Sequence, residues 1–142
     1  MFIKQNSTVE LVLFYKRMGM HYIAYSDADF KNEELTDEER GIYKKLTIQM
    51  KQLTWGLYNE LQEGSSKEDD EGNNKFCFRK YKELRLTRLI SSWDATALND
   101  KDEVVPVKIN DETIKSLAPE IAETILNAYD ELMFLTEEEE KK

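Results

Sequence analysis

The sequence predicts a mainly α protein, a small single-domain helical bundle over residues 1–135. Apolar residues recur at helical spacing after Thr36 and after Pro119, and the stretch from Lys75 also fits a helix. The 142 residues are enough to bury a core without disulfides or metals. A short N-terminal β-hairpin or extended segment stays open as an addition to this bundle.

Residues 7–25 fit two structures. Ser7 and Glu10 have the spacing of a helix capping box, and Gly19 suits a helix C-terminus. Apolar residues also alternate as in a hairpin, at Val9, Leu11, Leu13 and Tyr15 and again at Met20, Tyr22 and Ala24. Because the intervening positions are apolar too, the alternation is the weaker signal. We therefore expect a helix over residues 8–18, followed by an extended segment.

The clearest predicted helix begins at Thr36. Thr36 is the expected N-cap, and Glu39 completes a capping box. The apolar face of this helix comprises Ile42, Tyr43, Leu46, Met50, Leu53, Leu57 and Leu61. Ile48 and Trp55 lie one above the other on the opposite face. Either a second layer covers this pair, or the pair forms an exposed patch for a partner, so both residues are candidates for partner binding.

The net charge of −9 is unevenly distributed. Residues 63–74 carry five acids and one Lys and no apolar residue, which predicts a solvated, mobile loop. This acidic loop lacks the ligand spacing of an EF-hand, so no metal site is expected there. Since the whole chain is acidic, nucleic acid is not an expected partner.

Residues 75–93 form a basic segment, with six Lys or Arg against one acid. Lys75, Arg79 and Lys82 make a basic row at the start of the predicted helix. A row of this kind usually marks a solvated helix face, and here it is also a candidate for contact with an acidic partner. It has no Gly-rich loop beside it for a phosphate.

The remaining segments predict connections and helices. Trp93 and Asp94 end the basic helix, and Pro106 makes its neighbours extended, so these three residues are the candidate structural anchors. Asn110 is the expected cap of a short helix, and Pro119 suits the first turn of the last one. The last helix has an apolar stripe, which comprises Ile121, Ile125, Ala128, Tyr129 and Leu132. The charged residues 136–142 are expected to be a disordered tail.

The residue types of an active site do not combine anywhere in the sequence. His21 lacks a Cys or second His nearby, and Cys77 lacks a His partner. We therefore expect no catalytic residue, no cofactor and no metal, and hence no enzyme. The single cysteine fits a reducing compartment, and neither a signal peptide nor a membrane span is evident. A cytoplasmic protein without a membrane partner is expected.

The two tryptophan segments and several stretches C-terminal to them resemble a known family. The resemblance rests on Lys51-Gln52-Leu53-Thr54-Trp55-Gly56, on Arg88-Leu89-Ile90-Ser91-Ser92-Trp93-Asp94, on Val105-Pro106-Val107, and on Ile114, Leu117 to Ala122 and the helix from Ile125 to Tyr129. These features, within residues 45–135, are similar to small tail proteins of long-tailed bacteriophages, particularly the tail assembly chaperones encoded before the tape measure protein.

The resemblance implies a helical, non-catalytic protein of the host cytoplasm. Such a protein binds the tape measure protein, and in some cases tail tube subunits, during tail assembly, and self-association stays open. Two other classes remain: a structural neck or head–tail joining protein of the virion, and an acidic inhibitor or DNA mimic. The acidic inhibitor or DNA mimic is suggested by residues 94–142, which carry fourteen acids and five Lys.

Overall fold

The computed structural model describes residues 1–134, which form an α+β chain. Its strands are β1 (Thr8–Met18), β2 (His21–Ser26), β3 (Lys44–Lys51), β4 (Ser66–Glu68), β5 (Asn74–Phe76), β6 (Ile90–Trp93), β7 (Thr96–Leu98) and β8 (Val104–Pro106). Its helices are α1 (Asp27–Asn32), α2 (Asp37–Ile42), α3 (Trp55–Gly64), α4 (Phe78–Leu89), α5 (Asp111–Lys115) and α6 (Pro119–Met133). The expected tail at 136–142 lies outside the described residues.

The prediction of a mainly α helical bundle is wrong. Four strands form one sheet in the order β2-β1-β3-β6, and two further pairs, β4-β5 and β7-β8, form small sheets of their own. Strands β1 and β2 are antiparallel, with Leu13 opposite Ser26 and Met18 opposite His21. Strands β3 and β6 are also antiparallel, and Ile48 lies opposite Trp93.

The expected helix over residues 8–18 is instead strand β1, the first strand of a hairpin. Gly19 takes a φ of 61° in the turn between β1 and β2, a left-handed conformation that favours glycine. Leu11 and Leu13 are buried while their neighbours are more exposed, so the alternation that we gave less weight marks the true period. The capping-box spacing at Ser7 and Glu10 does not start a helix here.

The long helix expected from Thr36 to Leu61 is three elements. Thr36 is confirmed as an N-cap, since its side chain accepts a hydrogen bond from the Glu39 backbone N–H. This helix, α2, ends at Ile42, and β3 and α3 come after it. Within β3 the buried residues alternate, at Leu46, Ile48 and Met50. The helical prediction failed because Leu46 and Met50 satisfy both a period of four and a period of two.

Residues 63–93 also differ from expectation. Residues 63–74, expected to be a loop, hold the end of α3 and most of the β4–β5 hairpin. The basic helix is shorter than predicted, because α4 ends at Leu89 and residues Ile90–Trp93 form β6. Ile90 and Trp93 match helical spacing, yet they lie in a strand that pairs with β3.

The described chain divides into two compact units, with boundaries within β1, within β3 and between α5 and α6. The first unit contains Met1–Glu10 and Ile48–Ser116. Its core includes Leu61 of α3, Leu86 and Leu89 of α4 and Ile114 of α5. A side chain at Gly64 would come within 2.8 Å of the Leu84 Cδ1 atom, so the missing Cβ allows α3 to approach α4 closely.

The second unit contains Leu11–Thr47 and the described residues from Leu117. Helix α6 packs on β2, and the apolar stripe predicted for it is buried at Ile121, Ile125, Ala128 and Tyr129. Pro119 is confirmed in its first turn. An aromatic cluster adds to this unit: Phe14 stacks on Phe30 at 4.3 Å between ring centroids, and Tyr43 meets Phe30 edge-on at 5.0 Å.

Candidate functional site

The two residues expected to share a helix face lie in different elements. Ile48 is fully buried in β3, with 0% of its surface exposed, so it belongs to the core and offers nothing to a partner. Trp55 is 77% exposed at the start of α3. The structure therefore separates this candidate pair and leaves Trp55 alone as the surface residue.

Helix α3 presents Trp55 together with Tyr58, a residue that the sequence did not single out. Thr54 caps the helix by accepting a hydrogen bond from the Leu57 backbone N–H at 3.1 Å. The more buried face of the helix carries Leu57 and Leu61, while the Trp55 and Tyr58 rings stack outside with centroids 5.9 Å apart and planes at 19°. We call Trp55 and Tyr58 the α3 aromatic pair. In the sequence, the i,i+3 spacing of Trp55 and Tyr58 was the signal that could have indicated contact between the two rings on one helix.

The basic row occupies β5 and the first turns of α4. Lys75 lies 3.4 Å from the Asp69 carboxylate, Lys82 places its ammonium 5.1 Å from the Phe78 ring centroid, and Arg79 is exposed. Phe76 and Phe78 interleave with these cations and are 52% and 61% exposed. Sequence reasoning did not single out the two rings, because it treated residues 75–93 as one helix. We call Lys75, Phe76, Phe78, Arg79 and Lys82 the basic aromatic patch.

Two local features set the charge around this patch. Cys77 is the N-cap residue of α4 but its side chain makes no capping hydrogen bond, and the first turn of the helix has no acid. The cations Arg79 and Lys82 therefore lie toward the positive end of the helix dipole. Asp69, in the β4–β5 turn, accepts hydrogen bonds from the backbone N–H groups of Asn73 and Glu71. The bond from Asn73 is the main cause that lowers the pKa of Asp69, with a further contribution from Lys75.

The three predicted anchors lie around β6 and the β7–β8 hairpin. The Trp93 indole N–H donates to the Val107 carbonyl at 2.8 Å, and Pro106 lies in β8 opposite Thr96. The extended conformation predicted around Pro106 is thus confirmed. Asp94 comes after a strand, so it does not end a helix as expected. Trp93 therefore lies in a strand and not at the end of a helix, and its indole is bonded to Val107 just after β8.

Replacing Trp93 by Phe is expected to lower the free energy of unfolding by roughly 1–3 kcal/mol, because the partly buried Val107 carbonyl loses its donor. The measurement is urea denaturation followed by circular dichroism, which does not depend on tryptophan fluorescence. Trp55→Phe is the matched control and should change stability little, since that side chain is exposed. Equal losses in the two variants would contradict this role for Trp93.

The groups with chemical reactivity are dispersed. Within residues 1–134 there is no cluster of three or more His, Cys, Asp or Glu side chains arranged to hold a metal ion. His21 is exposed, with its Nδ1 atom 3.4 Å from a Glu120 carboxylate oxygen, and Cys77 is a free, partly exposed thiol. In the same residues, no helix has both the length and the apolar character needed to cross a membrane.

Comparison with known proteins adds no relative. No protein-family model matches the chain, and no curated protein or solved structure matches it either. The class that the structure itself defines is a small α+β protein with two exposed surfaces rich in aromatic residues, the α3 aromatic pair and the basic aromatic patch.

Proposed function

We propose that this chain is a non-catalytic protein of bacteriophage tail assembly, which acts in the host cytoplasm as a chaperone for the tape measure protein or for tail tube subunits. The particular process rests on the resemblance of residues 45–135 to tail assembly chaperones. The helical fold that this resemblance implies is absent, so the proposal depends on the surface of the chain and not on its architecture.

The observation that carries a protein-binding role is the exposure of Trp55. Large aromatic side chains are seldom left mostly in water, and Trp and Tyr are the residue types most enriched at the energetic centres of protein interfaces. Trp55 is 77% exposed and its ring is already ordered by stacking on Tyr58. Because the two rings are already held in place, little of their side-chain entropy is lost when a partner covers them.

The surroundings of the pair suit an apolar partner surface. Gly56, next to Trp55, is exposed, and a Cβ built there would meet no atom within 4 Å. The approach to the indole is therefore open. A client that exposes apolar residues before it assembles, as an amphipathic helix does, can lay its apolar face on Trp55 and Tyr58.

The test is co-expression with the tape measure protein encoded by the same phage, followed by purification on a tag carried by that protein. We expect the two chains to purify together and Trp55→Ala to weaken binding by at least about thirtyfold, as loss of an interface hot spot does. Leu98→Ala is the matched control, because Leu98 is exposed and lies in the same compact unit as Trp55. This variant should leave binding unchanged.

Two further measurements, on folding and on location, accompany the co-expression experiment. The Trp55→Ala variant should keep the thermal midpoint of the parent chain within a few degrees, since the side chain makes few buried contacts. Separate purification of the two parent chains would overturn the chaperone role. Stoichiometric amounts of the chain in purified virions would instead indicate a structural tail or neck protein.

A further inference from the structure

The two edges of the β4–β5 hairpin differ in their hydrogen bonding. Ladder bonds join Cys77 N–H to the Ser65 carbonyl at 2.7 Å and Asp69 N–H to the Asn73 carbonyl at 2.8 Å. In an antiparallel ladder, hydrogen-bonded pairs alternate with pairs whose backbone groups turn outward. The outward residues are Asn74 and Phe76 on β5, and Ser66 and Glu68 on β4.

The edge of β4 is partly occupied by the protein itself. The Lys80 ammonium donates to the Ser66 carbonyl at 3.2 Å, which satisfies an outward acceptor on that side. On β5, no hydrogen bond within residues 1–134 uses the outward backbone groups of Asn74 and Phe76. An edge with unpaired N–H and C=O groups is a template for a further strand.

The side chains next to the β5 edge define the chemistry of that strand. Phe76 and Phe78 expose more than half of their surface, and Lys75, Arg79 and Lys82 lie close to them along the chain. The Lys82 ammonium lies over the Phe78 ring. The chain as a whole has a net charge of −9, but this patch is basic. It therefore attracts an acidic partner, which the rest of the surface repels. A strand whose acidic and apolar side chains alternate would be complementary to the cations and rings of this patch.

We propose that the β5 edge binds an extended acidic peptide segment of another protein, which adds as a third strand to the β4–β5 sheet. Its backbone pairs with Asn74 and Phe76, an apolar side chain lies on the Phe76 and Phe78 rings, and its carboxylates lie near Arg79 and Lys82. Such strand addition takes affinity from the main chain and specificity from the side chains. This inference is independent of the role proposed for Trp55.

Single-stranded nucleic acid is the competing occupant, since cations and exposed rings also bind bases. Two observations favour the peptide. The free backbone groups of β5 match those of a polypeptide strand, which nucleic acid cannot supply. The turn beside the patch carries Glu68, Asp69, Asp70 and Glu71, which repel a continuous phosphate backbone more than a short peptide that can place its carboxylates away from them.

The test is fluorescence anisotropy with the full chain and three labelled probes. They are a peptide alternating Glu and Val, the same peptide with Lys for Glu, and an oligothymidylate. We expect binding of the Glu–Val peptide alone. Equal binding of both peptides, or no binding of the Glu–Val peptide, would overturn the proposal, and tight binding of the oligothymidylate alone would assign the patch to nucleic acid.

Two proline variants separate the backbone edge from the rest of the patch. Asn74→Pro removes an outward N–H of β5 without removing a β4–β5 bond, and proline is tolerated at such edge positions; it should weaken the Glu–Val peptide about tenfold. Glu68→Pro is the matched control, because it removes the outward N–H directly across the hairpin. Its binding should stay equal to the parent or increase, since an acid is lost.

A surface variant keeps the test decisive if either proline disturbs the hairpin. Arg79→Glu changes an exposed side chain and leaves the backbone intact. It should weaken the Glu–Val peptide by at least about tenfold and strengthen the Lys–Val peptide, because the local charge changes by two. Unchanged preference between the two peptides in this variant would show that the basic aromatic patch does not select the partner.

Discussion

Ile48→Ala is expected to lower the free energy of unfolding by roughly 2–5 kcal/mol, the usual cost of removing a buried branched side chain and leaving a cavity. Ile48 has 0% of its surface exposed and lies opposite Trp93 in the β3–β6 pair. The loss should show in urea denaturation monitored by circular dichroism, and it should appear mainly as a lower midpoint with a similar slope.

Ile42→Ala is the matched control for this prediction. It makes the same chemical change at a residue that is 61% exposed at the end of α2, so its effect should stay within about 0.5 kcal/mol. The helical pattern from Thr36 places Ile42 on the apolar face of one helix and Ile48 on the opposite face. A greater loss at Ile42 than at Ile48 would contradict the strand assignment of β3.

Ile125→Ala is expected to cost roughly 2–5 kcal/mol in the second unit for the same physical reason. Ile125 is fully buried on α6, the helix that packs on β2. Thermal unfolding of the variant should begin at a lower temperature than that of the parent. The β2 amides should also lose protection in hydrogen exchange, because the helix that covers them is less tightly held.

The control for Ile125 lies two turns further along the same helix. Leu132 belongs to the predicted stripe but is exposed, so Leu132→Ala should leave both the unfolding temperature and the exchange of β2 nearly unchanged. Similar losses at Ile125 and Leu132 would mean that the buried face of α6 is wider than the structure indicates.

The correct sequence predictions are those that depend on neighbours along the chain. Thr36 and Asn110 cap helices as expected, and Pro119 lies in the first turn of α6. A cap needs only a side-chain oxygen and an N–H three residues later, so its signal is complete in a few residues. The amphipathic stripe of α6 is also local, and it predicted four buried residues correctly.

The wrong predictions concern segments whose partners lie far along the chain. Leu46 and Met50 suit a helix or a strand, and what selects the strand is the presence of β1 and β6 on either side of β3. Ile90 likewise continues the helical spacing of Leu86 but leaves α4 to pair with β3. Tertiary context overrides local preference in such cases, because hydrogen bonding and burial across a sheet outweigh small differences in propensity.

The candidate surfaces divide in the same way. The sequence alone identified Trp55, Trp93 and the basic row as unusual, because residue type and charge can be read directly. It could not separate the exposed Trp55 from the buried Ile48, nor find Phe76 and Phe78, because exposure depends on which elements cover a residue. The sequence by itself determined the caps, the last helix and the charge distribution of this protein. Only the tertiary structure decided the sheet and the free edge of β5, since strand pairing joins residues that no local pattern connects.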